Sequence, residues 1–201
     1  MLPDDIEKTS FAIIEKEAGS HGFSPPEWNV VRRMIHTSAD FDYLETVRIH
    51  PKAIEAGIEA IRAGRRIISD TNMVRAGIRK NDLAGFGCDV ICLMDDPAVM
   101  AAARNNGTTR ALAAVDAAVE WMAGGICVVG NAPTALMRLL TLIAENRAAP
   151  ALVVGLPVGF VNAAESKAAL TLTDVPHITN TGRKGGSNVA AAVINSLILQ
   201  A

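Results

Sequence analysis

Apolar residues recur near helical spacing through the first third of the chain. Ile6, Phe11, Ile14 and Ala18 predict a helix over 4–17. Ser24 reads as an N-cap, and Pro25 and Pro26 open a second helix that runs to about Thr37. The stretch from Phe41 to His50 has a poorer helical pattern. Pro51 then opens PKAIEAGIEAIRAG, where Ile54, Ile58 and Ile61 form one apolar stripe that Gly64 ends.

Beyond that point the pattern changes to alternation. Short β-rich runs appear as RIISD from Arg66, DVICLM from Asp89, GICVVGN from Gly125, ALVVGLP from Ala151 and VPHITNT from Val175. Helical stretches lie between them. Leu112, Val115, Val119 and Met122 share a face over 110–122, and Leu136, Leu139, Leu140 and Ile143 do so over 134–146. A shorter helix is expected over 162–170. The last, over 187–199, is apolar nearly all round and should be deeply buried. Strands alternating with helices predict an α/β fold in three layers, α/β/α, around a parallel sheet of about five strands, preceded by a helical N-terminal segment. One domain over 1–201 is the expectation. Ligands of such sheets bind outside the carboxyl ends of the strands. Those ends carry Asp70-Thr71-Asn72, Gly130-Asn131-Ala132-Pro133 and Gly155-Leu156-Pro157.

Composition narrows the classes. Half of the 201 residues are hydrophobic, a fifth are charged and 4% are aromatic, so aliphatic side chains must fill the core. The net charge of -2 lacks the basic excess of a nucleic-acid binder. An anionic ligand must therefore be met by local positive spots. Cys88, Cys92 and Cys127 match no zinc spacing and no even disulfide framework, and read as reduced, mostly buried thiols of a cytoplasmic protein. The polar N-terminus does not read as a signal peptide, and no apolar run is long enough to span a membrane.

The stretch TGRKGGSNVAAAV, from Thr181, looks like a phosphate loop. A Walker A loop places lysine directly before Ser or Thr, whereas Lys184 precedes Gly185. What remains is a glycine turn entering a helix. Gly185 and Gly186 allow close approach of backbone amides, Ser187 is placed to cap the helix, and Arg183 and Lys184 favour an anion beside its N-terminus. In RRMIHTSADF, His36 falls near a helix end with Arg33 on the same face. Histidine exchanges protons near neutral pH, and helix-end capping is its structural alternative. His21, His50 and His177 are weaker candidates. No metal-ligand spacing and no GxSxG elbow occur. Asn131 and Thr134 enter as polar groups of a strand-to-helix turn, and Thr71 from its place at a strand end. Arg110 starts a helix, against the dipole, where a ligand carboxylate would account for it. Glu165 and Lys167 have solvated helix charges as their simplest reading.

Taken in order, these motifs resemble the precorrin-8X methylmutase family over nearly the whole chain. SFAII from Ser10, RRMIH around His36, NMVRAGI from Asn72, the arginine of GTTR, GNAPTAL, GLPVGFVNAAESK and GRKGGS carry the resemblance. It implies a flavodoxin-like sheet, a homodimer, and migration of a methyl group from ring carbon 11 to ring carbon 12 of a corrin-type macrocycle. The product would be hydrogenobyrinate from precorrin-8X, or cobyrinate from cobalt-precorrin-8, within cobalamin biosynthesis. No cofactor is implied. The family's histidine falls on His36 as proton donor or acceptor, and its substrate-contacting serine and arginine on Ser10 and Arg33. The residues themselves fit such a ligand: Arg33, Arg110, Arg183, Lys184 and helix N-terminal amides would meet carboxylates scattered around a wide apolar ring. Two rivals stand beside this reading. One is a corrinoid carrier without turnover, and the other a flavodoxin-like domain binding phosphate or flavin.

Overall fold

The computed structural model describes residues 3–201. Its first helices are α1 (Pro3–Ala18), α2 (Pro25–Ser38) and the short α3 (Tyr43–Thr46). A strand β1 (Val47–Ile49) leads to α4 (Ala53–Arg62). Then come β2 (Ile67–Ser69), α5 (Asn72–Gly77), α6 (Lys80–Ala84), β3 (Val90–Ile91), α7 (Pro97–Asn105) and α8 (Arg110–Ala117). The chain finishes with β4 (Ile126–Val129), α9 (Pro133–Ala144), β5 (Leu152–Gly155), α10 (Ala163–Thr171), β6 (His177–Asn180) and α11 (Ser187–Ile198).

The six strands pair in the order β1-β6-β5-β4-β2-β3. β2 to β6 are mutually parallel, and β1 runs antiparallel along the β6 edge. Counted among themselves, the parallel strands follow the flavodoxin-like order, second-first-third-fourth-fifth. The chain changes direction across the sheet between β2 and β4, and a crevice forms at such a switch.

Central strands are buried on both faces, so their side chains divide between two cores. Ile126, Val128, Leu152 and Val154 face the layer built from α1, α2, α4, α5 and α11. Cys127, Val129 and Val153 face α8, α9 and α10. The all-apolar sequence of α11 has its reason here, since every residue from Val189 to Ile194 is buried. Burial also pushes the Cys127 thiol up to about 12, as expected of an inert packing cysteine.

Three expectations change. The 41–50 segment supplies a sixth strand: Val47 pairs with Asn180 and Ile49 with Ile178, and that tertiary partner overrides a local pattern too short to announce a strand. The helix expected over 110–122 ends at Ala117. Ala118 N–H is shared between the Ala114 and Val115 carbonyls, and Val119–Trp121 tightens into a 3-10 turn. Lys167 is not solvated but buried, with 1% of its surface exposed. The proline-led entry to α2 is as expected. Ser24 N–H and Oγ both donate to Glu27 Oε2, at 2.8 and 2.7 Å.

Candidate active site

The sequence-predicted residues gather along the carboxyl edge of the sheet. At the switch point, the Asp70 carboxylate closes the end of β2 against the turn after β4. Oδ1 accepts from Gly130 N–H at 2.9 Å, and Oδ2 from Asn131 and Ala132 N–H at 2.9 and 2.8 Å. Burial pushes its pKa above the usual carboxylate value despite those three donors. The turn that presents Asn131 is thus shaped by a residue that the sequence marked only as part of a polar strand end.

Thr71 caps α5 by accepting from Val74 N–H, and its Oγ1 lies 3.1 Å from Ser187 Oγ. Ser187 does not cap α11 as expected. Gly186 holds the cap position and Ser187 is the first helical residue, so its hydroxyl is released to Thr71. Glycine is needed at Gly130, where a Cβ would come within 2.8 Å of Ser187 Cα and hold α11 away from the strand end. It is needed again at Gly185, where a Cβ would meet the Leu156 carbonyl oxygen at 2.3 Å. Gly186 N–H donates to that same oxygen at 2.9 Å. The loop therefore lies flat against the end of β5.

His36 comes to this edge from α2, whose last turn packs on the start of α11: Asn188 Nδ2 donates to Thr37 O at 3.4 Å. The helix stops just past His36 because Ala39 takes a left-handed conformation, φ 53°, and returns its N–H to Ile35 O. The exposed His36 ring meets Phe11 edge-on, with centroids 5.1 Å apart. Arg32 and Arg33 stack over the same Phe11, at 4.4 and 5.3 Å from its centroid, and Arg33 also pairs with Glu7 at 3.1 Å. An open hollow of about 370 Å³, lined by Ser10, Ile13, Ile35, His36, Ala39 and Phe41 among others, lies beside this ring. Ser10 and His36, on different helices, thus share one surface.

Arg110, Arg183 and Lys184 are exposed, but each already has a side-chain neighbour. Lys184 Nζ is 2.6 Å from both Asp40 Oδ2 and Asp42 Oδ2, which holds its pKa well above the usual lysine value and the Asp40 carboxyl below its own. Arg183 lies 5.5 Å over the ring of Phe160, itself 86% exposed. Arg110 opens α8, which Thr109 caps by accepting from Leu112 N–H, and lies 4.0 Å from Asp95; Asp95 accepts from Asn72 at 2.6 Å. Thr134 Oγ1 touches Thr109 Oγ1 at 3.2 Å. Bonded, hydrogen-bonded and ion-paired neighbours form a row through Thr37, Asn188, Ser187, Thr71, Asn72, Asp95 and Arg110, and His36 precedes Thr37 in α2. No direct contact joins Arg110 or Thr134 to the His36 end among the described residues.

The remaining histidines lie elsewhere. His21 stacks on Trp28 at 4.0 Å, and His177, buried at the amino end of β6, bonds the Val175 carbonyl at 2.8 Å.

Comparison with known proteins identifies the family. The family model of precorrin-8X methylmutase matches residues 5–200. A cobalt-precorrin-8 methylmutase of Priestia megaterium is 45% identical over 99% of this chain and 88% of its own length. One of Salmonella typhimurium is 45% identical over 98% and 94%. The crystal structure of a precorrin-8X methylmutase from Thermus thermophilus superposes with a TM-score of 0.91 at 49% identity, covering 98% of this chain and 95% of that one. With this sheet order, and with the match running from α1 to the end of α11, the chain belongs to the precorrin-8X methylmutase family.

Proposed function

We propose that this methylmutase moves a methyl group from ring carbon 11 to ring carbon 12 of precorrin-8X or cobalt-precorrin-8, with His36 as proton donor and acceptor. The observation that carries the reading is the row from His36 to Arg110. It sets a histidine, hydroxyls, amides and an arginine beside Asp95 along one edge, which suits a wide apolar disc rimmed with carboxylates. A compact phosphate would need only one end of it. Cobalt, where present, belongs to the substrate.

In this reading the macrocycle rests beside the Ser10–His36 hollow. Arg33, Arg110, Arg183, Lys184 and the amides of the glycine loop receive its carboxylates. His36 protonates the macrocycle, the methyl group migrates, and the same ring recovers the proton as product forms. The substrate is isomerised with no net change in atoms or electrons. General acid help of this kind is worth about 10²–10⁴-fold, and holding the ring in a reactive shape supplies the rest. Phe11 sets the tilt of the His36 ring.

A homodimer and a cytoplasmic setting are part of the proposal. Ile6, Ile13, Phe160 and Val161 are exposed apolar side chains suited to a second copy, and three unpaired thiols suit a reducing compartment. Sedimentation of the pure protein tests the first.

The shift alters the conjugated path, so turnover changes visible absorbance. Wild-type protein mixed with precorrin-8X, and separately with its cobalt form, should convert at least one of them. Tight binding of both with a constant spectrum would instead identify a carrier.

A further inference from the structure

Lys167 is a buried charge that the methyl shift does not use directly. Its Nζ donates to Asn180 Oδ1 at 3.0 Å and to the Lys184 carbonyl at 2.5 Å. Both acceptors are neutral, and no ion pair joins the ammonium among the described residues. A buried charge without a counter-charge is unfavourable, and methionine would fill a similar space without that penalty.

The acceptors give the charge a purpose. Lys184 C=O and Gly185 N–H belong to one peptide unit. An ammonium on the carbonyl polarises that unit and strengthens its N–H as a donor. Gly185 N–H has no acceptor among the described residues. Asn180 Nδ2 holds the same Lys184 oxygen at 3.0 Å and Thr181 O at 3.1 Å, so the loop is fixed from inside at both ends.

We propose that Lys167 is a positioning residue: from beneath the 181–186 loop it fixes and polarises the Lys184–Gly185 peptide, which then binds a carboxylate of the macrocycle. The inference rests on the reading of the site given above. Lys167 does not itself touch the substrate.

Burial lowers the Lys167 pKa to about 8. The charged groups around it do not set that value. Lys184 turns its ammonium outward to Asp40 and Asp42, and Arg183 lies over Phe160. Arg138 of α9 pairs with Asp116, His177 sits at the far end of β6, and Glu165 is exposed on α10.

The test is steady-state turnover of precorrin-8X by wild type and Lys167→Met, from about pH 7 to 10. At neutral pH the variant should show KM raised roughly tenfold with kcat within about twofold, the signature of lost carboxylate binding. Its Tm should change little, because loss of the buried charge offsets the Asn180 Oδ1 that is left without its donor. Wild-type KM should rise as the pH passes about 8, and KM of the variant should stay flat. An unchanged KM in the variant would overturn the proposal. So would kcat and Tm falling together, which marks a mere strut. Should the variant not fold, Lys167→Gln, which keeps a donor but no charge beneath the loop, is measured in the same way, and an unchanged KM there is the contrary result. A wild type without turnover would instead sink the reading of the site, so the two failures are distinct.

Discussion

The ammonium of Lys184 lies 2.6 Å from the Asp40 carboxylate, and this contact ties the glycine loop to the turn just beyond His36. Asp42 accepts at the same distance. The pair therefore helps to set where His36 stands relative to the amides of the loop.

Lys184→Met should loosen that tie, and its effect on stability should depend on pH. The Asp40 pKa is depressed, chiefly by its hydrogen bond from Lys184, so its contribution is present above the ordinary value of 3.8 and is lost as pH falls through the lower folded value. The Lys184 pKa is raised, so its contribution is present below the ordinary value of 10.5 and is lost as pH climbs through the higher folded value. Thermal melts should show a small gap between wild type and variant at neutral pH. The gap should close in strong acid and in strong alkali.

Asp70→Ala should damage both stability and turnover. The substitution leaves the N–H groups of Gly130, Asn131 and Ala132 without their acceptor at the end of β4. One unsatisfied buried donor costs about 1–3 kcal/mol, and partial access of water to the other two keeps the total at roughly 2–5 kcal/mol. Urea denaturation measures it. Asp70→Asn, which retains one acceptor oxygen, should fall between wild type and Asp70→Ala.

Gly185→Ala should move the loop off the end of β5. A Cβ 2.3 Å from the Leu156 oxygen meets backbone, which cannot yield as a flexible side chain would. Affinity for the macrocycle should drop, and stability should fall with it, because Gly186 N–H and the buried Lys167 both lose an acceptor as the loop moves. Ligand titration alongside a thermal melt separates the two quantities.

Phe11→Leu keeps an apolar residue on α1 but removes the edge contact to His36 and the faces under Arg32 and Arg33. The catalytic rate should fall about two- to tenfold, matching the roughly 0.5–1.5 kcal/mol of an aromatic contact. Substrate affinity should change less than kcat.

Much of the architecture was readable because burial writes itself into period. Val153 and Val154 face opposite cores, so β5 had to be a continuous apolar run. α11 had to be apolar all round. β1 was not readable, since three residues at a sheet edge leave little pattern and depend on β6 for their partner. At the site, residue type pointed to His36 and the glycine loop, and only the family resemblance pointed to Ser10. Pairing across the fold was hidden. Nothing near Lys184 in sequence announces Asp40, and nothing near Lys167 announces that Asn180 and the Lys184 carbonyl will enclose it. Asp70 stood in plain view at a strand end, but its three donors lie sixty residues away, and only the sheet order brings them together.

The central claim is that His36 moves the proton. It is tested most directly by following visible absorbance after mixing precorrin-8X with wild type or His36→Ala, with binding measured in parallel. Turnover by wild type and loss of about 10²-fold or more in the variant, at unchanged affinity, is the predicted result. Full turnover by His36→Ala with normal binding would contradict it.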